Sequence, residues 1–161
     1  MKSEDYTIRP PESREEWDQL PRLLLDYRNE FDDETCFTTF EAEIMDIRNA
    51  YSGPGNHMII VLEAPGNKVV GCVGMRTISP DVAEMKRLYV APSHRGKHLG
   101  EDLALELLSY AEEKMYTRMV LDTMNEMHAA QKLYQQLGFR KTEPYRDQDP
   151  SKVVCYEKKF S

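Results

Sequence analysis

With 161 residues, 40% of them hydrophobic and 30% charged, the chain can bury one domain-sized core and stay in water. A net charge of −7 argues against nucleic acid as the main partner. The three cysteines (Cys36, Cys72, Cys155) are too scattered for a disulfide scaffold or a metal site. The longest apolar run, Met58 to Leu62, is too short to span a bilayer, and Met1 to Tyr6 carry no apolar signal region. The expectation is a cytoplasmic protein with no metal and no membrane partner.

In chain order, Tyr6 to Arg9 reads as a first strand, stopped by Pro10-Pro11. Ser13 with Glu16 is a capping-box pattern. Trp17, Leu20, Leu24 and Tyr27 or Arg28 then recur at helical spacing, with Pro21 placed to split or kink the helix. Phe31 to Phe37 is an acidic loop around Asp32-Asp33-Glu34. Thr38 with Glu41 suggests a second cap, and Ile44, Ile47 and Tyr51 mark one face of a second helix. After the turn residues Ser52 to Asn56, the segments His57 to Glu63, Lys68 to Ser79 and Val82 to Val90 are strands joined by short turns, an antiparallel meander.

Ser93-His94-Arg95-Gly96-Lys97-His98-Leu99-Gly100 follows. It stands between the strand ending at Val90 and an amphipathic helix from Leu99 to about Met115, whose stripe is Leu99, Leu103, Leu107 and Ala111. Free N–H groups and partial positive charge at a helix start, two glycines and nearby basic side chains suit a phosphate or pyrophosphate. The bland alternative is a glycine-containing turn with solvated cations. No Ser or Thr follows Lys97 to hold magnesium, which counts against an ATP loop. Arg118 to Thr123 is a strand, so strand, loop, helix and strand read as a parallel crossover. Ala129 to Leu137 is a short helix ended by Gly138. Phe139 to Tyr145 and Lys152 to Phe160 are two last strands, the latter a possible edge for pairing in a homodimer.

Three pieces in this order carry a family likeness: Glu84-Met85-Lys86-Arg87-Leu88-Tyr89-Val90, Arg95-Gly96-Lys97-His98-Leu99-Gly100, and Ala130-Gln131-Lys132-Leu133-Tyr134-Gln135-Gln136-Leu137-Gly138-Phe139. The chain resembles the GNAT superfamily of N-acetyltransferases. The resemblance implies a single α+β domain over residues 1–161. Its mixed, mostly antiparallel seven-stranded sheet would be flanked by about four helices and splayed between the fourth and fifth strands. It also implies acetyl-CoA as co-substrate and a small-molecule or peptide amine as acceptor, acetylated by direct attack in a ternary complex. A non-catalytic acyl-CoA sensor of the same fold is the alternative.

By resemblance, Arg95, Gly96, Lys97, His98, Leu99 and Gly100 hold the pyrophosphate, while Leu88, Tyr89 and Val90 meet the pantetheine arm through main-chain groups. Tyr134 protonates the departing thiolate: an ordinary tyrosine pKa of about 10 against about 8.5 for a thiol keeps it protonated at neutral pH. The plain reading of Tyr134 is a core aromatic on Phe139 or Leu137. Glu84, eleven positions before Arg95, stands where some members carry a general base; the alternatives are an ordered water as base and an exposed strand charge. His98 occupies the family's inner glycine position, and a right-handed backbone there would remove any strain. Met127 replaces a frequent asparagine, whose contact is either lost or supplied by Asn125. Tyr145, Arg146 and the Asp32 to Glu34 run are acceptor-side candidates.

Overall fold

The computed structural model describes residues 5–30 and 40–160; Cys36, Thr38 and the acidic run at 32–34 lie outside them. Its strands are β1 (Tyr6–Arg9), β2 (His57–Glu63), β3 (Lys68–Ser79), β4 (Val82–Val90), β5 (Arg118–Met124), β6 (Arg140–Thr142) and β7 (Val153–Lys159). The helices among the described residues are α1 (Arg14–Asn29), α2 (Phe40–Met45), α3 (Ile47–Ala50), α4 (Leu99–Glu113) and α5 (His128–Gln136), with a 3-10 turn at Pro92–His94.

Ser13 starts α1 from extended backbone, its Oγ accepting the Glu16 N–H at 3.2 Å. The reciprocal half of the capping box is redirected. Glu16 accepts the Glu12 N–H at 2.8 Å and two Arg9 nitrogens at 2.9 and 2.8 Å, tying the helix start to β1. The hydrogen bonds from Arg9 outweigh burial and hold the Glu16 carboxyl down at about 2. Pro21 does not split α1. The helix continues to Asn29 because Leu20 and Leu24, on either side of the proline, are fully buried and hold both segments to the sheet. The expected second helix is two short ones, α2 and α3, broken at Asp46. There the backbone is non-helical, and the carboxylate caps no peptide N–H but accepts from the side-chain amide of Asn49 at 2.6 Å.

The sheet runs β1-β2-β3-β4-β5-β7-β6. The first four strands form the antiparallel meander, and β4 to β5 is the parallel pair made by the α4 crossover. β7 lies between β5 and β6, so the segment expected as an edge is interior, covered by the short β6. This corrects the proposed dimer edge: the edge strands are β1 and β6. The last hairpin keeps only Arg140–Thr142 as strand on its first arm, leaving residues 143–152 as a long polar loop.

Each face of the sheet carries its own core, which is why β2 is apolar at successive positions. On the α4 face, Ile59, Val61, Met75, Met85, Leu103, Leu107, Met119 and Leu121 pack together. On the other, Met58, Ile60 and Cys72 meet Trp17, Leu20, Leu24, Phe40 and Tyr51 from the first three helices. Gly74 of β3 lies beneath Tyr51, with its missing Cβ only 2.5 Å from Cε1 of the ring. Burial pushes the Cys72 thiol up to about 12. Among the described residues, no helix is long and apolar enough to cross a membrane.

Candidate active site

β4 and β5 are paired at only three positions, Val82 with Arg118, Ala83 with Met119 and Glu84 with Val120. Beyond Glu84 the strands diverge, and the gap opens into a cleft of about 1180 Å³. A bulge shapes its β4 wall. Between the Cys72–Tyr89 and Gly74–Lys86 pairs, β4 carries one residue more than β3, and Arg87 takes a left-handed φ of +60°. Arg87 and Leu88 have no partners in the β3 register. Leu88 and Val90 pack toward the α4 face, while Tyr89 and Arg87 turn to the opposite one.

Arg87 is buried and paired with Glu43, Nε to Oε1 at 2.9 Å and Nη2 to Oε2 at 2.8 Å. Tyr51 donates to Glu43 at 2.5 Å and Lys86 donates at 3.0 Å. Burial pulls the Arg87 pKa down, but the hydrogen bond to Glu43 and the charges nearby outweigh it, so the guanidinium stays charged in the wall.

The 3-10 turn leads from β4 through Arg95 and Gly96 (φ +82°) to the start of α4. His98, just before the helix, is left-handed at φ +62°, so the right-handed backbone that would have removed its strain is not adopted. Histidine tolerates this region better than branched residues do, and the strain is about 1 kcal/mol. Arg95 donates from Nε to the Val90 carbonyl at 2.9 Å, pairs with Glu30 at 2.9 Å and lies over the Tyr89 ring. The Tyr89 hydroxyl also donates to Glu30, and burial followed by that hydrogen bond pushes its pKa well up. Lys97 points away, donating to the Tyr6 hydroxyl at 3.0 Å; Tyr6 in turn bonds His94 Nδ1 at 2.8 Å.

Leu88, Tyr89, Val90, Arg95, Gly96, His98, Leu99, Gly100 and Tyr134 all line the cleft, together with His94 and Met127. Lys97, Asn125 and Glu84 are not among its lining residues. Tyr134 is buried, edge-on to Phe139 at 5.9 Å and tilted against Tyr156 at 6.2 Å, so it is a core aromatic that also borders the cleft. Asn125 faces the loop after β6: its backbone N–H bonds the Lys152 carbonyl at 2.8 Å and its amide approaches Pro150 O at 3.5 Å. The wall position above it belongs to Met127, whose sulfur accepts from Thr123 Oγ1 at 3.1 Å.

A polar cluster sits where the strands part. Glu84 is buried, and its Oε2 accepts from the Tyr145 hydroxyl at 2.7 Å and from Arg146 Nη2. The other terminal nitrogen of Arg146 is 3.7 Å from Asp122 Oδ2, which also accepts from Gln148. Cys155 donates to Gln148 at 3.0 Å, and burial raises its thiol to about 11. Burial, then the charge of Glu84, lifts the Asp122 carboxyl above the ordinary range despite the opposing fields of Arg146, Lys86 and Arg87. Burial and the two carboxylates also push the Tyr145 phenol far up, leaving it a hydrogen-bond donor.

The cleft therefore opens on both faces of the sheet. The glycine loop, the start of α4 and Tyr134 border it on one side; Arg87, Asp122 and Arg146 border it on the other. Residues 10–139 match the profile of the acetyltransferase (GNAT) family. The chain belongs to the GNAT family of acetyltransferases. An uncharacterized N-acetyltransferase of Schizosaccharomyces pombe is 34% identical over 146 residues, covering 90% of this chain and 89% of the relative. Human N-acetyltransferase 8B is 34% identical over 105 residues, which are 62% of this chain and 46% of that longer protein. Among solved structures, an acetyltransferase from Streptococcus agalactiae has a TM-score of 0.80 at 24% identity, covering 98% of this chain and all of that one. The PaiA N-acetyltransferase of Thermoplasma acidophilum, solved with coenzyme A, has a TM-score of 0.72 at 20% identity, over 96% of this chain and 99% of that one. Family and relatives make this chain an N-acetyltransferase.

The sequence put Tyr27 only on a helix face and Arg87 only within a strand motif, and it gave no site role to either, nor to Asp122 or Glu30, all of which line the cleft. Asp122 had a readable signal: it is the one charged residue inside the apolar run Met119 to Met124. Arg87 had none, because its placement depends on the bulge.

Proposed function

We propose that the chain moves an acetyl group from acetyl-CoA to a primary amine by direct attack in a ternary complex. The observation that carries this reading is the two-sided cleft, with an anion-suited helix start and a buried tyrosine on one face and a paired carboxylate cluster on the other. In this reading the loop from Arg95 to Gly100 takes the pyrophosphate through backbone N–H groups and the helix start. The arm of the coenzyme runs along Leu88 to Val90. The bulge frees main-chain groups there from the β3 ladder, available to polarise the acetyl carbonyl. Tyr134 protonates the thiolate, and the amine gives up its proton on the opposite face, where Glu84 and Asp122 are paired through Arg146.

Isothermal calorimetry with acetyl-CoA, followed by thiol release with a panel of amines, tests the proposal. No binding at millimolar coenzyme refutes it, and binding without amine-dependent thiol release turns the reading into a coenzyme sensor. Tyr134→Phe is expected to lower turnover by about 10- to 100-fold with acetyl-CoA affinity little changed; unaltered turnover removes Tyr134 as the acid.

A further inference from the structure

Glu84 and Asp122 are not equivalent. Alternation along β5 places Leu121 and Met119 in the core under α4, so Asp122 projects to the opposite face, the side of α1 and α2. It lies two residues past the last β4–β5 pair, where the gap begins, and it lines the cleft. Glu84 projects to the same face but does not line the cleft, and its Oε2 already accepts from Tyr145 and Arg146. The contacts from described residues to Asp122, Gln148 and the more distant Arg146, both fall on Oδ2.

We propose that Asp122 is the catalytic residue that receives the acceptor's ammonium and takes its proton, with Glu84 and Arg146 as positioning residues behind it. This rests on the acetyl-transfer reading above and names the site's acceptor face. An ammonium seated on Oδ1 gives one proton to Asp122. The neutral nitrogen forms its bond to the acetyl carbon, the C–S bond breaks with its electron pair on sulfur, and Tyr134 protonates the sulfur from the α4 face. The nitrogen's surplus proton leaves to solvent, which reprotonates Tyr134. Asp122 then returns its own proton to water. Donor and acceptor of protons thus stand on opposite faces of one sheet, and neither competes for the other's substrate. The groups bearing on Asp122 are Glu84, Lys86 and Arg87 from β4, Tyr145, Arg146 and Gln148 from the loop after β6, and Cys155 from β7. The negative Glu84 favours the proton on Asp122, and the three cations oppose it.

The experiment compares the full-length wild type, Asp122→Asn and Glu84→Gln. Thiol release is followed from pH 6 to 10 with ethanolamine, benzylamine, glycinamide and lysine methyl ester at tens of millimolar, alongside calorimetry with acetyl-CoA. Asp122→Asn is expected to keep coenzyme affinity within about twofold while losing about 10²–10⁴ in kcat/KM for the amine at neutral pH. The loss should shrink as the pH approaches the amine's own pKa. Glu84→Gln is expected to retain more activity and to shift the acidic limb to lower pH, because removing its charge leaves Arg146 to Asp122. Undiminished turnover in Asp122→Asn, or an acidic limb abolished by Glu84→Gln alone, overturns the assignment and leaves the transfer reading standing. A coenzyme-bound wild type that releases thiol with none of these amines overturns both. Lost coenzyme binding in Asp122→Asn would also overturn the assignment, since it would make the residue structural.

Discussion

Gly74→Ala adds one methyl group where the second core leaves no room for it. The new Cβ falls 2.5 Å from Tyr51 Cε1 and 2.9 Å from Cδ1, so the ring must retreat by about 0.9 Å to reach ordinary contact near 3.4 Å. Tyr51 has nowhere to go: it is 1% exposed and its hydroxyl is bound to Glu43 at 2.5 Å. Overpacking of this kind costs about 1–3 kcal/mol. Weakening a hydrogen bond to a carboxylate adds about 1.5–3 kcal/mol, and the stiffer unfolded chain returns about 0.4–1 kcal/mol. The net is a loss of about 3 kcal/mol, or a fall of about 6–12 °C in Tm for a chain of this length. Urea and thermal unfolding measure it, with Gly66→Ala as control. Gly66 has no atom within 4 Å of its added Cβ and should stay within about 0.5 kcal/mol of wild type. In a Tyr51→Leu background the alanine should cost at least about 1 kcal/mol less, because the clash is specific to the ring. An effect below about 0.5 kcal/mol, or an equal cost in both backgrounds, refutes the argument.

His98→Val should be less stable than His98→Gly by about 1–2 kcal/mol in chemical denaturation, since a branched side chain is strained at φ +62° and glycine is not. Glu16 is held at about 2 in the folded chain against an ordinary 4.5. Its stabilising effect is full above pH 4.5 and disappears as the pH falls through about 2. Allowing for solvent around Arg9, Glu16→Gln should lose about 1–2 kcal/mol at pH 7 and draw level with wild type near pH 2. A gap that persists in acid would mean that packing, and not charge, is what Glu16 supplies.

The features readable from sequence are those set by local periodicity. The meander follows from apolar runs separated by Gly-, Pro- and Asn-rich turns, and α4 from the Leu99, Leu103, Leu107 and Ala111 stripe. The glycine loop stood out by its own residues at a helix start, whereas Tyr134 was singled out by the family resemblance. What escaped notice depends on pairing between distant segments. That β7 is interior follows from β6 closing beside it, which the spacing of Phe139 to Phe160 does not specify. The cleft wall at Arg87 exists because β4 carries one residue more than β3 across the bulge. A split at Pro21 was expected because its local penalty was visible while the burial of Leu20 and Leu24 around it was not.

The three-pair junction between β4 and β5 has a consequence for how this protein varies under mutation. The two cores lie on opposite faces of the sheet, one under α4 and the other under α1, α2 and α3. Repacking under α1, α2 and α3 therefore need not pass through the core under α4, while Glu30 at the end of α1 still ties that side to Arg95 of the glycine loop. The molecule behaves as a socket and an interchangeable collet sharing one spine. Side chains on the α1–α3 face can change while the core under α4 is kept, and recombining halves at the β4–β5 seam would sever only three residue pairs of the ladder.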